Sequence, residues 1–472
     1  MRMPSLPWRV TIAGVLIASS VTGGISAASA TGHPAPSEAA TPGIPCDKGS
    51  MPENEQGRAP LADYNTGRAE KGYFCNAREV GHFGNSGGYR VARYVDNSGH
   101  VCAYWDSTLL FPTDASNQGV EGPGVYVLNM KDPAHPKLAT TLKTPAMLSP
   151  HESLRLNLAR GLLVADMGYP TFQPGFVDVY DVRHNCLKPV LQSSTPLGIL
   201  GHESGFAPDG RTFYVANPGG SMAAVDLTNP QLPRLLWTSF TYKPHGVSLS
   251  NDGKTLFMAD LGSSHGLTIL DVSQIQERKP NPQVKQIAHL TWPDVSIPQN
   301  ATPFVIGAHH YLLDADEFGG GSSPVGAARI INIDNLRHPY VESNLRLEVN
   351  NHPTETTDPG DSHLLQGYQA HYCSLPTRVN PNIVACSFIM SGLRVFDIRN
   401  PSHPREVAYF NKPVKPETTA YKQGSFAMSA PAYDPARNDI WYTDGESGFW
   451  VVHLTTATGI AHFAKTYFLP GN

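Results

Sequence analysis

A phrase recurs along this 472-residue chain: a β-rich run ending in Val-Asp or an equivalent, a turn containing proline, then another β-rich run. Its clearest copies are Gly124-Val-Tyr-Val-Leu-Asn-Met-Lys-Asp-Pro133 and Gly392-Leu-Arg-Val-Phe-Asp-Ile-Arg-Asn-Pro401. Shorter copies read Val177-Asp-Val-Tyr-Asp-Val182, Ala224-Val-Asp-Leu-Thr-Asn-Pro230, Leu267-Thr-Ile-Leu-Asp-Val272 and Arg329-Ile-Ile-Asn-Ile-Asp334. An internal repeat of this length decides the architecture before any single motif does, because each copy is one unit that cannot bury its apolar faces alone.

The copies delimit seven units, near residues 86–147, 148–198, 199–242, 243–293, 301–350, 368–413 and 426–466. Asp209-Gly210 and Asp252-Gly253 mark tight hairpins inside two of them, since both central positions of such a turn tolerate positive φ. The 43 Gly and 41 Pro are spread through the chain, which suits many short strands joined by turns. The expected fold is all-β, a seven-bladed β-propeller over residues 72–472, with six or eight blades as alternatives. Residues 76–83 (Asn-Ala-Arg-Glu-Val-Gly-His-Phe) echo Ser402-His-Pro-Arg-Glu-Val-Ala-Tyr-Phe410. They are expected to supply the last blade's outer strand and close the ring, removing free sheet edges.

Upstream, residues 31–71 are rich in Pro, Ala, Glu and Gly without periodicity and read as a linker or irregular N-terminal arm. Residues 1–30 read as a secretory signal peptide: Arg2 and Arg9, an apolar run from Val10 to Val21, and Ala28-Ser-Ala30 as a cleavage site. Their removal takes away two arginines and no acid, moving the net charge from −5 to −7. That balance argues against nucleic acid as a partner. No later apolar stretch is long enough for a membrane span. The expectation is an exported chain, secreted or periplasmic, acting as a monomer.

Six cysteines in an exported chain point to disulfides. Cys373 and Cys386 sit symmetrically about Asn380-Pro381, so a hairpin brings them face to face. For Cys46, Cys75, Cys102 and Cys186, the combination Cys75–Cys102 with Cys46–Cys186 is one of three possibilities.

The runs Leu-Thr-Ile-Leu-Asp-Val and Leu-Arg-Val-Phe-Asp-Ile with trailing Asn-Pro resemble the LVIVD repeat of secreted bacterial propellers, over most of residues 120–455. The unit Pro244 to Gly262 is also similar to blades of the selenium-binding (methanethiol oxidase) and lactonase propellers. The resemblance implies a propeller; chemistry must be sought in particular residues.

Histidines open five successive units: His151, His202, His245, His309 and His371. The first strand of a propeller blade lines the central axis, so these positions are expected to converge at one end of it. Convergent imidazoles can hold copper, iron or zinc with a position left open for a small-molecule substrate. Glu152 and Glu203, which directly follow two of the histidines, are the candidate catalytic carboxylates, placed to orient the ligands. The resemblance to selenium-binding propellers implies copper, and hence a metal-dependent oxidoreductase. Two readings compete with it: histidines that staple blade to blade in a non-catalytic binding propeller, and a lactone or ester hydrolase using a divalent cation such as calcium. For the hydrolase, the dense acidic run Asp314, Asp316 and Glu317 is the candidate cation site or general base. Asp166, Asp260 and Asp444, with Asn217 in the equivalent place, instead read as residues that bond the backbone of Gly-rich turns.

Overall fold

The computed structural model describes residues 36–106, 122–166, 175–198, 201–317, 326–351, 358–359, 367–418, 423–460 and 462–463. The expected signal peptide at residues 1–30 and the run Gly319–Gly321 lie outside the described residues. Seven antiparallel sheets are arranged as blades, six of four strands and one of five. Their innermost strands are Val91–Val95, Arg155–Asn157, Gly205–Phe206, Pro244–Leu249, Ile297–Ile306, Ala370–Ser374 and Ala432–Asp434, which define blades 1 to 7.

The recurring phrase is the third strand of each blade, and its composition follows from where it lies. Such strands are covered on both faces by neighbouring blades, so Val125–Asn129, Val177–Asp181 and Gly392–Asp397 are buried along almost their whole length. A strand buried on both faces reads as a continuous apolar run rather than an alternating one. Fourth strands are more open: Arg234–Ser239 is exposed or half-buried throughout.

The acidic or amide residue closing the phrase has a job of its own. Asn129, Asp181, Asp226, Asp271, Asn332 and Asp397 each accept, through Oδ1, the backbone N–H two residues on, at 2.9–3.0 Å. This turn starts the crossing to the fourth strand, and the repeat is conspicuous in the sequence because the same turn is made in six blades.

Ala77–Phe83 pairs antiparallel with Gly448–Leu454, so the first part of the chain completes blade 7 and closes the ring, as its echo in the sequence implies. Just before it, Tyr73–Cys75 adds a fifth strand to blade 6. Residues 36–72 run against blades 5 and 6. Thr41 donates its backbone N–H to Arg346 O at 2.7 Å, and Ile44 to Glu406 O at 3.0 Å. A short helix, Leu61–Thr66, follows.

Cys373 and Cys386 face each other in register and are bonded. The other four form Cys46–Cys75, which ties the arm to the fifth strand of blade 6, and Cys102–Cys186, which joins blade 1 to the chain after the third strand of blade 2. The combination Cys75–Cys102 with Cys46–Cys186 is therefore not the one formed.

Candidate functional site at the axial mouth

Each innermost strand presents its opening residues to one end of the axis, and four of the five candidate histidines meet there. The imidazoles of His151 and His202 lie with ring centres 4.3 Å apart, and His202 and His245 with centres 4.4 Å apart. His371 stands opposite, sharing Tyr89 as a neighbour with His151. Glu152 occupies the middle. Its Oε2 is 2.9 Å from His202 Nδ1 and 3.7 Å from His245 Nδ1, while its Oε1 is 3.4 Å from His371 Nε2 and 4.0 Å from His151 Nε2. Tyr372 donates its hydroxyl to Glu152 Oε2 at 2.5 Å.

Local backbone choices make this convergence possible. His151 sits at φ 50° in the turn Pro150-His-Glu-Ser153, a left-handed conformation that costs an L-residue about 1–2 kcal/mol. Ser153 holds that turn by donating its N–H and its hydroxyl to Pro150 O, at 2.9 and 2.6 Å. Gly246 follows His245 because a Cβ there would lie 1.7 Å from Glu203 Oε2 and 2.3 Å from Gln299 O.

His309 does not join the cluster, contrary to the axial expectation. It starts the second strand of blade 5, His309–Glu317, and is exposed, with Nδ1 2.7 Å from Asp334 Oδ2. The innermost strand of blade 5 is the segment before it, so the axis receives Gln299 and Asn300 instead. Asn300 is buried and donates to Glu203 Oε1 at 3.0 Å. The axial strand Ile297–Ile306 carries no histidine, so a histidine pattern picks out the strand after it.

Glu203 also departs from a ligand-orienting role. It is fully buried and paired with Arg90 and with Arg155, whose Nη2 is 2.5 Å from Glu203 Oε1. The same two arginines donate to Glu152 O at 3.2 Å each. They form a floor beneath the histidines, and below it an axial cavity of about 150 Å³ lies between the later residues of the innermost strands.

The acidic run is divided. Asp316 is buried, accepts from Trp292 Nε1 at 2.8 Å, and is paired with Arg329. Asp314 is also buried, 3.7 Å from Arg329 Nε, and burial beside Asp316 pushes it well above the usual carboxylate range. A cation site or general base at Asp316 is thus displaced by the guanidinium of Arg329. Glu317 points into the axial cluster, where Gln299 donates to it at 2.5 Å and its Oε1 is 3.5 Å from His371 Nε2. Asp260, Asp444 and Asn217 do bond the backbone of their turns, at 2.8 Å to Gly262, Glu446 and Gly219. Asp166 is buried and accepts from Ser204; the turn after it lies outside the described residues.

Electrostatics sorts the histidines. Burial, aided by His202, pushes His151 down to about 3, and burial pushes His245 down to about 4 against the pull of Glu152. Both are neutral imidazoles, the metal-binding form. His245 has its Nδ1 3.3 Å from Gln299 O; donation there leaves Nε2 with its lone pair. Burial lowers His371 as well, but Glu317 and Glu152 outweigh it and raise it to about 10. His371 is therefore a buried imidazolium that neutralises two carboxylates. Its Nδ1, 2.6 Å from Met428 O, fixes the ring. Burial would raise Glu152, yet His202 and His245 hold it well below the ordinary carboxylate range.

His151 Nε2 and His202 Nε2 are 3.0 Å apart. Two nitrogens bound to one ion at ~2.0–2.1 Å stand roughly 2.9–3.4 Å from each other for angles between octahedral and tetrahedral. With Glu152 these two histidines offer three ligand atoms within 4.8 Å of one another. His151 Nδ1 is buried without a hydrogen-bond partner. The donor set and its spacing fit a transition-metal ion.

No protein-family model matches the chain, and no curated relative does. Solved structures do match in shape. A putative 6-phosphogluconolactonase from Bacteroides uniformis aligns over 74% of this chain and 95% of its own, at 13% identity and TM-score 0.50. Sqt1 from Chaetomium thermophilum aligns over 80% and 98%, at 14% identity and TM-score 0.48. At such identities the likeness is one of fold.

Proposed function

We propose that this chain is an exported propeller enzyme whose axial mouth holds one first-row transition-metal ion and acts on a small molecule as an oxidoreductase. The observation carrying this reading is the 3.0 Å approach of His151 Nε2 to His202 Nε2 with Glu152 beside them, in a buried site. Imidazole with one carboxylate suits copper, iron or zinc, and the resemblance to selenium-binding propellers favours copper. When bound, such an ion supplies an open coordination position and, for copper or iron, one-electron chemistry.

The protein's own residues do the rest. His151 and His202 supply nitrogen ligands, with His245 next to them. Glu152 is held as an anion and turned toward the ligands by Tyr372. His371, carrying a proton between Glu152 and Glu317, keeps the pocket from accumulating negative charge. The Arg90–Glu203–Arg155 floor closes the mouth from the axial cavity. Export agrees with the three disulfides, which persist in oxidising compartments. No described helix is long and apolar enough to cross a membrane.

The test is elemental analysis of protein made without a histidine tag and loaded separately with copper, iron and zinc. About one ion per chain, lost in His151→Ala and in His202→Ala but kept in His309→Ala, supports the reading. Sub-stoichiometric metal in the parent protein under all three loadings overturns it.

A further inference from the structure

A second arrangement of reactive groups stands on blade 4, outside the axial cluster. Ser264 Oγ is 2.8 Å from His289 Nε2. His289 Nδ1 is 2.9 Å from Thr268 Oγ1, and Thr268 donates its hydroxyl to Asp260 Oδ2 at 2.6 Å. The direct separation of His289 Nδ1 from Asp260 Oδ2 is 3.9 Å, so the threonine hydroxyl links the two.

The direction of this chain is determined by counting hydrogens. A carboxylate only accepts, and a hydroxyl has one hydrogen to give. Thr268 gives its hydrogen to Asp260, so its oxygen can only accept from His289 Nδ1–H. In the neutral imidazole this leaves Nε2 unprotonated, facing the Ser264 hydroxyl. The order Ser–His–Thr–Asp therefore sets up a base next to a serine, which is the logic of nucleophile activation with an inserted hydroxyl.

The scaffold holds these groups firmly except at the serine. Thr268 and His289 are direct cross-strand partners, and Asp260 ends the strand Thr255–Asp260. Asp260 Oδ1 accepts the Gly262 N–H at 2.8 Å, and His265 Nδ1, 2.6 Å from Ser296 O, pins the loop to the next blade. Thr268 is buried and His289 half-buried, whereas Ser264 is exposed to an incoming molecule. Among the described residues, neither the Ser264 nor the His265 backbone N–H has a protein acceptor. Adjacent free N–H groups at a nucleophile are the donors an oxyanion needs.

Ser264 is also the centre of Gly262-Ser-Ser-His-Gly266, a Gly-x-Ser-x-Gly spacing. That spacing marks a nucleophile in strand-to-helix turns. Here it joins two strands, Thr255–Asp260 and Gly266–Asp271, so the spacing alone would not carry the case. The side-chain chain does.

We propose that Ser264 is the nucleophile of a metal-independent acyl-transfer site that cleaves acyl esters or lactones. Ser264 Oγ bonds to the carbonyl carbon while its proton passes to His289 Nε2. The carbonyl electron pair moves to oxygen, facing the N–H groups of Ser264 and His265. The C–O bond to the alcohol then breaks, and the alkoxide leaves with the proton from His289. Water, activated by the same histidine, releases the acid and restores the serine. Thr268 and Asp260 are positioning residues that keep the imidazole in its basic tautomer.

The full-length chain, stripped with EDTA, is incubated with a biotinylated fluorophosphonate. Attack breaks the P–F bond, fluoride leaves, and the adduct is located by peptide mass spectrometry. Ser264 is expected to carry the adduct at near-unit stoichiometry, and His289→Ala to slow labelling by about 100-fold or more, the scale of lost general-base catalysis. Thr268→Val should slow it and shift its pH profile, with Thr268→Ser restoring both. Thermal melts establish that each variant is folded. An unlabelled Ser264 in the folded parent protein overturns the proposal, as does His289→Ala labelling at the parent rate. Because EDTA precedes labelling, either failure leaves the axial metal reading untouched.

Discussion

Two clusters of buried charge in this propeller show how a structural cluster differs from one kept for chemistry. Where the N-terminal arm meets blade 6, Arg394 is fully buried and binds Glu53 in a two-pronged pair, 2.7 Å on each prong, with Glu406 at 3.3 Å. Gln56 donates to Glu406 at 2.7 Å, and Arg394 Nε donates to Ser391 O at 2.9 Å. None of the polar atoms of Glu53, Arg394 or Glu406 is buried without a partner. At the axial mouth the same count fails: His151 Nδ1 and Glu203 Oε2 are buried without a hydrogen-bond partner, and His202 Nδ1 and His371 Nε2 face only the carboxylates of Glu152 and Glu317. Leaving a buried polar atom unmade costs about 1–3 kcal/mol. A fold that satisfies one cluster completely and leaves two buried atoms of the other without a partner has a use for the second that its own side chains do not meet.

The comparison breaks most readily at the arm. Arg394→Met should destabilise the protein by about 3–5 kcal/mol, because it leaves buried carboxylates without their cation. Denaturant unfolding measures this, and metal content per folded chain should not change. At the mouth the pattern inverts. His151→Ala and His202→Ala should abolish stoichiometric metal binding, and His151→Ala should change metal-free stability by no more than about 1 kcal/mol, since few satisfied bonds are lost there. If His151→Ala lost as much metal-free stability as Arg394→Met, the mouth would be a structural staple. Between these lies Glu152→Gln, which keeps shape but not charge. It should weaken metal binding by about 10–100-fold, the usual effect of altering a group that orients ligands, with titration calorimetry as the readout.

How much of this was legible in the sequence follows from the range over which each feature is determined. The blades are repeats of a local pattern, so the third strands and their Asx turns announce themselves, and so does ring closure through the echo of residues 402–410 in 76–83. The histidines at 151, 202, 245 and 371 were legible as strand-opening residues. His309 is misplaced because a second strand exposed only at its first two residues and an axial first strand are not told apart by composition. Asp316 reads as a candidate cation site or base because its partner Arg329 lies on the next strand, in register with Asp314. Of the floor only Glu203 stands out in the sequence; its partners Arg90 and Arg155 carry no signal, since they join it from blades 1 and 2 only in three dimensions. The sequence announces no nucleophile elbow, and the Gly262–Gly266 spacing gains meaning only with His289 and Thr268 beside it.

The smallest effect separates the clusters by pH. One guanidinium faces two carboxylates at the arm, and Arg394 grips Glu53 with both prongs. Burial then raises Glu406 to about 7, Arg394 pulling the other way. A carboxyl raised on folding stabilises most below its unfolded value near 4.5, and that contribution is lost as pH rises through the folded value near 7. Arm stability should therefore fall between about pH 4.5 and 7, by roughly 1–2 kcal/mol if the shift is only partly realised. Glu406→Gln, which cannot ionise, should flatten that slope. Metal binding at the mouth should run the other way across the same interval, rising with pH as a proton leaves His202, which Glu152 holds above its ordinary value against the effect of burial. Opposite pH slopes for arm stability and metal affinity, separable by one substitution at each cluster, would mean that the two share burial and charge but not purpose. Parallel slopes would mean the mouth is held together by the same closed charge balance as the arm, and its unbonded atoms would then need an explanation other than a ligand.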